Sequence, residues 1–159
     1  MPEAPPPRGP ADPGARSDAQ PLCAGAELAE RGRALLFDVL LWGQPARAFA
    51  LRYEGRVVAY INRCAHVPVE MDWQPGEFLD MDKRWIVCSI HGASYEPLGG
   101  HCVAGPCGRG RLLPLEVQEA GGRVYWYPSR DIRPVVFDEP AAHSGPFLPQ
   151  ADPGPDGRP

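Results

Sequence analysis

The chain has 159 residues, with 16 basic and 20 acidic side chains and a formal net charge of −4. That length suggests one domain, and every basic residue except Lys83 is an arginine, with no basic block of the kind a nucleic-acid binder carries. The longest mainly apolar run, residues 34–42, is interrupted by Asp38 and is far too short to span a bilayer. No charged region followed by an apolar one opens the chain, so we expect a cytoplasmic protein without a membrane span. In that compartment clustered cysteines bind metal more often than they form structural disulfides.

Residues 1–21 hold seven prolines and no aromatic residue, and residues 138–159 hold six prolines and the single aromatic Phe147. Such segments have too little apolar surface to offset the entropy of ordering them, so both read as tails around a folded unit at 22–137. Within it, residues 26–32 read as a short helical or turn segment. Residues 33–42 form an apolar strand that Gly43, Gln44 and Pro45 interrupt. Residues 46–53 alternate small or apolar residues with arginines, as a half-buried strand does. Glu54-Gly55 is a turn signal, and the strand at 56–62 leads into Cys64. The strand at 84–88 ends on Cys88. The last strands, 111–117 and 123–128, flank a turn at residues 120–122. Short strands punctuated by Gly and Pro predict an all-β domain.

Two of these strands run into paired ligand residues. Cys64-Ala65-His66 and Cys88-Ser89-Ile90-His91 are separated by residues 67–87. Two thiolates and two imidazoles suit zinc as a closed tetrahedron, or a [2Fe–2S] cluster with two Cys on one iron and two His on the other. A zinc finger usually gathers both cysteines in one knuckle and both histidines in another, whereas each loop here supplies one of each. The flanking "HGASYEPLGGHCVAGPCG" is rich in Gly and Pro, which lets backbone N–H groups approach sulfur. Both features favour iron–sulfur.

On the motifs "CAH", "CSIHGASYEP" and the downstream "GPC", the chain resembles the Rieske-type [2Fe–2S] proteins of the small bacterial ferredoxin kind, over about residues 22–130. The resemblance implies three stacked antiparallel sheets with the cluster near the tip and the histidine edges close to solvent. It implies that Cys64 and Cys88 hold one iron and His66 and His91 the other. It further implies that Tyr95 donates a hydrogen bond to a cluster cysteine, and that Gly105 and Pro106 belong to the loop that covers the cluster. Two departures stand out. The segment 70–84, "EMDWQPGEFLDMDKR", lengthens the gap between the pairs and reads as an acidic hairpin or loop. The respiratory-complex type has an extra cysteine in each cluster loop, but Val69 and Ile90 occupy those positions here.

Neutral imidazoles in place of two thiolates make the site less negative, which raises the potential relative to an all-cysteine cluster. Reduction makes the ring N–H groups less acidic, so electron uptake should couple to proton uptake at alkaline pH. Outside the ligand set, Cys102 and Cys107 are expected to be free thiols in a reducing cytoplasm, and Cys23 an unremarkable one. Trp73, Trp85 and Trp126 are expected to serve core packing. The run Glu70, Asp72, Glu77, Asp80 and Asp82 reads equally as a docking surface and as a solvated hairpin. No nucleophile–base pair, phosphate loop, flavin or nicotinamide fingerprint is present. The reading is an electron carrier without catalysis of its own, serving a reductase and an acceptor such as an oxygenase. The alternatives are a small iron–sulfur subunit of a multicomponent oxidoreductase and a Cys₂His₂ zinc interaction module.

Overall fold

The computed structural model describes residues 17–136. The two predicted tails lie outside these residues, except for residues 17–21. There the first strand already begins, two positions before the expected start of the folded unit. The ten strands are β1 (Gln20–Ala24), β2 (Leu35–Leu41), β3 (Gln44–Tyr53), β4 (Arg56–Ile61), β5 (Ile86–Val87), β6 (Ser94–Tyr95), β7 (Cys102–Ala104), β8 (Pro114–Ala120), β9 (Arg123–Tyr127) and β10 (Ile132–Pro134). The helical or turn segment predicted near residue 26 is a single 3-10 turn at Gly25–Glu27. All strand pairings are antiparallel, and the domain is all-β.

Three hairpins follow from local chemistry. Trp42-Gly43, Glu54-Gly55 and Gly121-Gly122 each place two consecutive residues at positive φ. That is the mirror-image turn whose twist matches the strands it joins, and Gly adopts it without a Cβ penalty. The β2–β3 turn is therefore only two residues long. Gln44 and Pro45, expected to break the strand, belong to β3. Pro45 is tolerated because β4 pairs with β3 only over Ala48–Tyr53, so the missing N–H lies beyond that ladder.

Strands run β1-β9-β8-β4-β3-β2-β10 in one sheet, and β5-β6-β7 form a second. The first is really two layers sharing β8, because β4 meets β8 only at Ala59↔Leu115 and Tyr60↔Pro114. The expected three stacked sheets are thus present with two of them continuous. Alternation along β3 and β4 explains the stacking. Phe49, Leu51, Tyr53 and Tyr60 point into one core, shared with Met71, Phe78, Ile86, Cys64 and Cys88. Ala48, Ala50, Ala59 and Ile61 point into the other, shared with Val124, Trp126 and Leu115. The middle layer is buried on both faces, and the small sheet with the ligand loops sits on one of them.

The segment 70–84 is not a free loop. Phe78 stacks on Phe49 with ring centroids 3.8 Å apart. Leu79 bridges to Ile86, and the Asp80 N–H reaches the Trp85 carbonyl, so the segment turns back as a short hairpin. Arg33 and Ala34 bond to Pro75 and Gly76 at its other end.

Candidate metal centre

The two ligand loops are built alike. In the first, the Cys64 N–H donates to the Val69 carbonyl at 3.0 Å; in the second, the Cys88 N–H donates to the Ala93 carbonyl at 2.8 Å. Each turn thus closes on the fifth residue after its cysteine. Each also points two N–H groups at its own sulfur: His66 and Val67 at Cys64, Ile90 and His91 at Cys88. The unequal Cys-to-His spacing comes from the histidine occupying the first of these donor positions in one loop and the second in the other.

The sulfurs are buried and the imidazoles are not. Cys64 is 4% and Cys88 1% exposed. His66 and His91 are exposed and stand edge to face, ring centroids 5.3 Å apart. Tyr95, fully buried, brings its hydroxyl to 3.2 Å from Cys64 Sγ and accepts the Ala65 N–H at 3.0 Å. The Tyr95 hydroxyl is pushed well above the usual phenol range by burial and then by the Cys64 sulfur, so it stays protonated.

A third loop closes over the other two. Gly105 sits at φ +84°, where a Cβ would lie 2.8 Å from the Gly92 carbonyl oxygen and 3.0 Å from Ala93 Cα. A Cβ on Gly110 would lie 2.8 Å from the Ala65 Cβ. Backbone therefore presses directly on both ligand loops, with Pro106 following at the exposed turn. The expectation of free thiols here is wrong: Cys102 and Cys107 form a disulfide with Cα atoms 5.8 Å apart. Free thiols are the commoner state in a reducing compartment, but local geometry decides for a given pair. The turn at residues 105–106 brings the two residues to bridging distance.

This arrangement fits a cluster with two thiolate and two imidazole ligands. Burial pushes both thiols up. For Cys64 the Tyr95 hydroxyl and the Val67 and His66 N–H groups outweigh burial and hold it below the ordinary thiol range. Cys88 stays above that range, because the Cys64 sulfur adds to burial against the Ile90 and His91 N–H groups. Both sulfurs are buried and close enough to act on each other, and two thiolates so placed are held together by a cationic centre. Among the described residues no three His, Cys, Asp or Glu side chains converge on one point. The buried sulfur pair and the exposed imidazole pair offer the donor types that a two-iron centre with two thiolates and two imidazoles uses.

Other predicted residues resolve differently. Trp126 is buried and lies against Phe37, but Trp73 is 81% exposed and plays no part in the core. Asp80 accepts the Arg84 and Trp85 N–H groups, Asp72 accepts from Asn62 and Gly76, and Glu77 lies 3.7 Å from Arg33. The acidic run is thus largely committed to folding its own segment. Sequence reasoning missed Asn62, Ala65 and Gly110. Asn62 left a signal, as the one polar residue at the end of the apolar run "VVAYI".

No curated protein sequence matches this chain. Solved structures do. The ferredoxin of carbazole 1,9a-dioxygenase from Nocardioides aromaticivorans IC177 is 20% identical, with a TM-score of 0.56 over 71% of this chain and 100% of its own. The terminal oxygenase of carbazole 1,9a-dioxygenase from Novosphingobium sp. KA1 is 26% identical with a TM-score of 0.56, over 76% of this chain but only 32% of its own. A reduced complex between oxygenase and ferredoxin in carbazole 1,9a-dioxygenase gives 24% identity and a TM-score of 0.55, over 70% of this chain and 28% of that one. The family model for the Rieske [2Fe-2S] domain matches residues 18–120. The chain belongs to the Rieske [2Fe–2S] family, and its cofactor is a Rieske-type [2Fe–2S] cluster.

Proposed function

We propose that Cys64 and Cys88 hold one iron and His66 and His91 the other, and that the chain carries single electrons between a reductase and an acceptor such as an oxygenase. The observation that carries this reading is the matched pair of loops, each closing on its fifth residue with two N–H groups aimed at a buried sulfur. When bound, the cluster takes up and returns one electron. The protein supplies the surroundings. The N–H groups and the Tyr95 hydroxyl face the sulfur side, where they favour added negative charge. Backbone at Gly105, Pro106 and Gly110 keeps water from that side. The exposed imidazole edges of His66 and His91 form the face offered to a partner, beside exposed Val69 and Ile90.

The carrier role is supported by the full-length match to a ferredoxin. The terminal oxygenase shares somewhat higher identity over a third of its length, which supports a second reading: an iron–sulfur subunit held by a larger catalytic partner. Among the described residues no helix is long and apolar enough to cross a membrane. We place the protein in the cytoplasm as part of the same reading. The Cys102–Cys107 bridge is the feature that tests it, by thiol labelling of freshly lysed cells.

The function test is direct. Purified protein should contain about two irons and two sulfides per chain, accept one electron from a reductase, and turn over no substrate alone. Cys64→Ser and Cys88→Ser should lose the cluster, while Cys23→Ser keeps it. One bound zinc without sulfide would overturn the ligand assignment. Steady substrate oxidation by the isolated chain would overturn the carrier role, and stable co-purification with a larger subunit would favour the second reading.

A further inference from the structure

Apart from tyrosines and cysteines, Asn62 is the only buried polar or charged side chain among the described residues. It stands two positions before Cys64, between apolar Ile61 and the ligand loop. Its Nδ2 donates to Asp72 Oδ1 at 2.7 Å, and its Oδ1 accepts the Met71 N–H at 2.9 Å. Asp72 Oδ2 in turn accepts the Gly76 N–H at 3.0 Å. Met71 is fully buried, and its carbonyl accepts the Ser89 N–H at 2.9 Å. Ser89 directly follows Cys88. A continuous polar path therefore joins the strand end before Cys64, the inserted segment, and the first residue of the second ligand loop.

Burying an amide among apolar neighbours is costly unless its hydrogen bonds are made, and a satisfied buried network fixes geometry that apolar packing would leave looser. Here the fixed geometry is that of the ligand loops. Ser89 opens the turn whose next two N–H groups, on Ile90 and His91, face the Cys88 sulfur. Holding the Ser89 N–H on Met71 sets the direction of that turn.

We propose that Asn62 and Asp72 are positioning residues for the cluster, a latch through which the inserted segment fixes the Cys64 loop relative to the Cys88 loop. The proposal rests on the ligand assignment given above. Neither residue touches the cluster. They act through Met71 and Ser89 on the N–H groups that favour the more negative, reduced state. Loosening them should weaken those contacts and lower the potential.

The donor and acceptor pattern provides its own control. Asn62→Asp sets two carboxylates face to face. Asp72→Asn presents an amide with only one acceptor to the two donors, Asn62 Nδ2 and the Gly76 N–H. The double exchange, Asn62→Asp with Asp72→Asn, restores all three bonds with the side-chain donor reversed. The experiment compares wild type, both single variants and the exchange, each as full-length protein with its cluster. It measures midpoint potential by film voltammetry, EPR g values and thermal midpoint. Each single variant should show a downward shift in potential with altered or broadened g values, or lose the cluster; the exchange should recover potential, g values and cluster content together. Single variants that melt lower but keep wild-type potential and g values would overturn the latch, as would an exchange that recovers the melting point alone. A cluster-bearing wild type with unaffected variants refutes the latch only. A wild type without a [2Fe–2S] cluster refutes the ligand assignment, and the latch with it.

Discussion

Tyr95→Phe isolates one hydroxyl. The ring is fully buried in the core that also holds Cys64, Cys88, Met71 and Phe78, and phenylalanine refills that volume. Two contacts disappear: the one to Cys64 Sγ at 3.2 Å and the Ala65 N–H at 3.0 Å. Their directions differ. Ala65 gives its hydrogen to the tyrosine oxygen, and a metal-bound thiolate has no hydrogen to give, so the hydroxyl donates to sulfur. Reduction adds one negative charge to the site, and a hydrogen bond to a charged group is worth more than a neutral one by about 1–2 kcal/mol. At 59 mV for each ~1.4 kcal/mol in a one-electron couple, the loss should lower the midpoint potential by about 40–80 mV. The same change strands the Ala65 N–H, which should lower folding stability by about 1–3 kcal/mol.

Film voltammetry at neutral pH reads the first effect and thermal melting of the loaded protein reads the second. The potential is the deciding measurement, because a bond that served only packing would lower the melting point and leave the potential in place. A folded Tyr95→Phe protein with its cluster intact and its potential unchanged or raised refutes the assignment of this hydroxyl to the reduced state.

Three further outcomes follow from the loops around Tyr95. Ala93→Ser adds a hydroxyl at the fully buried residue two positions after His91 and should raise the potential in voltammetry, provided the variant folds; no upward shift refutes a hydrogen bond from this position to the cluster. Gly105→Ala forces a Cβ to 2.8 Å from the Gly92 carbonyl at φ +84°, so the covering loop must shift, and iron-chelator bleaching followed by absorbance should speed up severalfold. Cys102→Ser should keep the visible and EPR spectra, since Cys102 lies outside the proposed ligand set, but cost about 2 kcal/mol of stability from opening a five-residue separation, checked by calorimetry.

How much of this was open to sequence reasoning depended on whether the signal was local. Glu54-Gly55 and Gly121-Gly122 announce hairpins because their backbone requirement is satisfied within two residues. The two strands that lead into the Cys-His pairs were equally readable, as short apolar runs ending beside Cys64 and Cys88. β6, β7 and β10 were not, because strands of two or three residues have no period to detect, and β5, equally short, was legible only through the apolar run Trp85-Ile86-Val87 before Cys88. β1 was hidden by Pro21, which resembled the Pro-rich segment before it. It is an edge strand with a register shift between Pro21 and Cys23, where a missing N–H is tolerated. From composition the segment 70–84 reads as an acidic hairpin or loop, equally a docking surface or a solvated one. Its carboxylates at 72 and 80 accept backbone N–H groups instead, a role that depends on where the chain turns.

The site divides its two tasks between two sides. On the sulfur side the protein is closed: Cys64 and Cys88 are buried, Tyr95 and four loop N–H groups face the sulfurs, and Gly105 and Gly110 bring backbone into contact behind them. Changes there act on the charge of the cluster, because every group that faces a sulfur is a dipole of fixed direction. On the imidazole side the protein is open: His66 and His91 stand exposed beside Val69 and Ile90. The side chains of Val69 and Ile90 stand at the exposed tip, although the Ile90 N–H faces the Cys88 sulfur and the Val69 carbonyl closes the Cys64 turn, whereas Tyr95 and Ala93 lie on the closed side. On the proposed function, side-chain changes at the tip should act first on partner binding and changes at Tyr95 or Ala93 first on the potential, a separation that combined substitutions check by additivity.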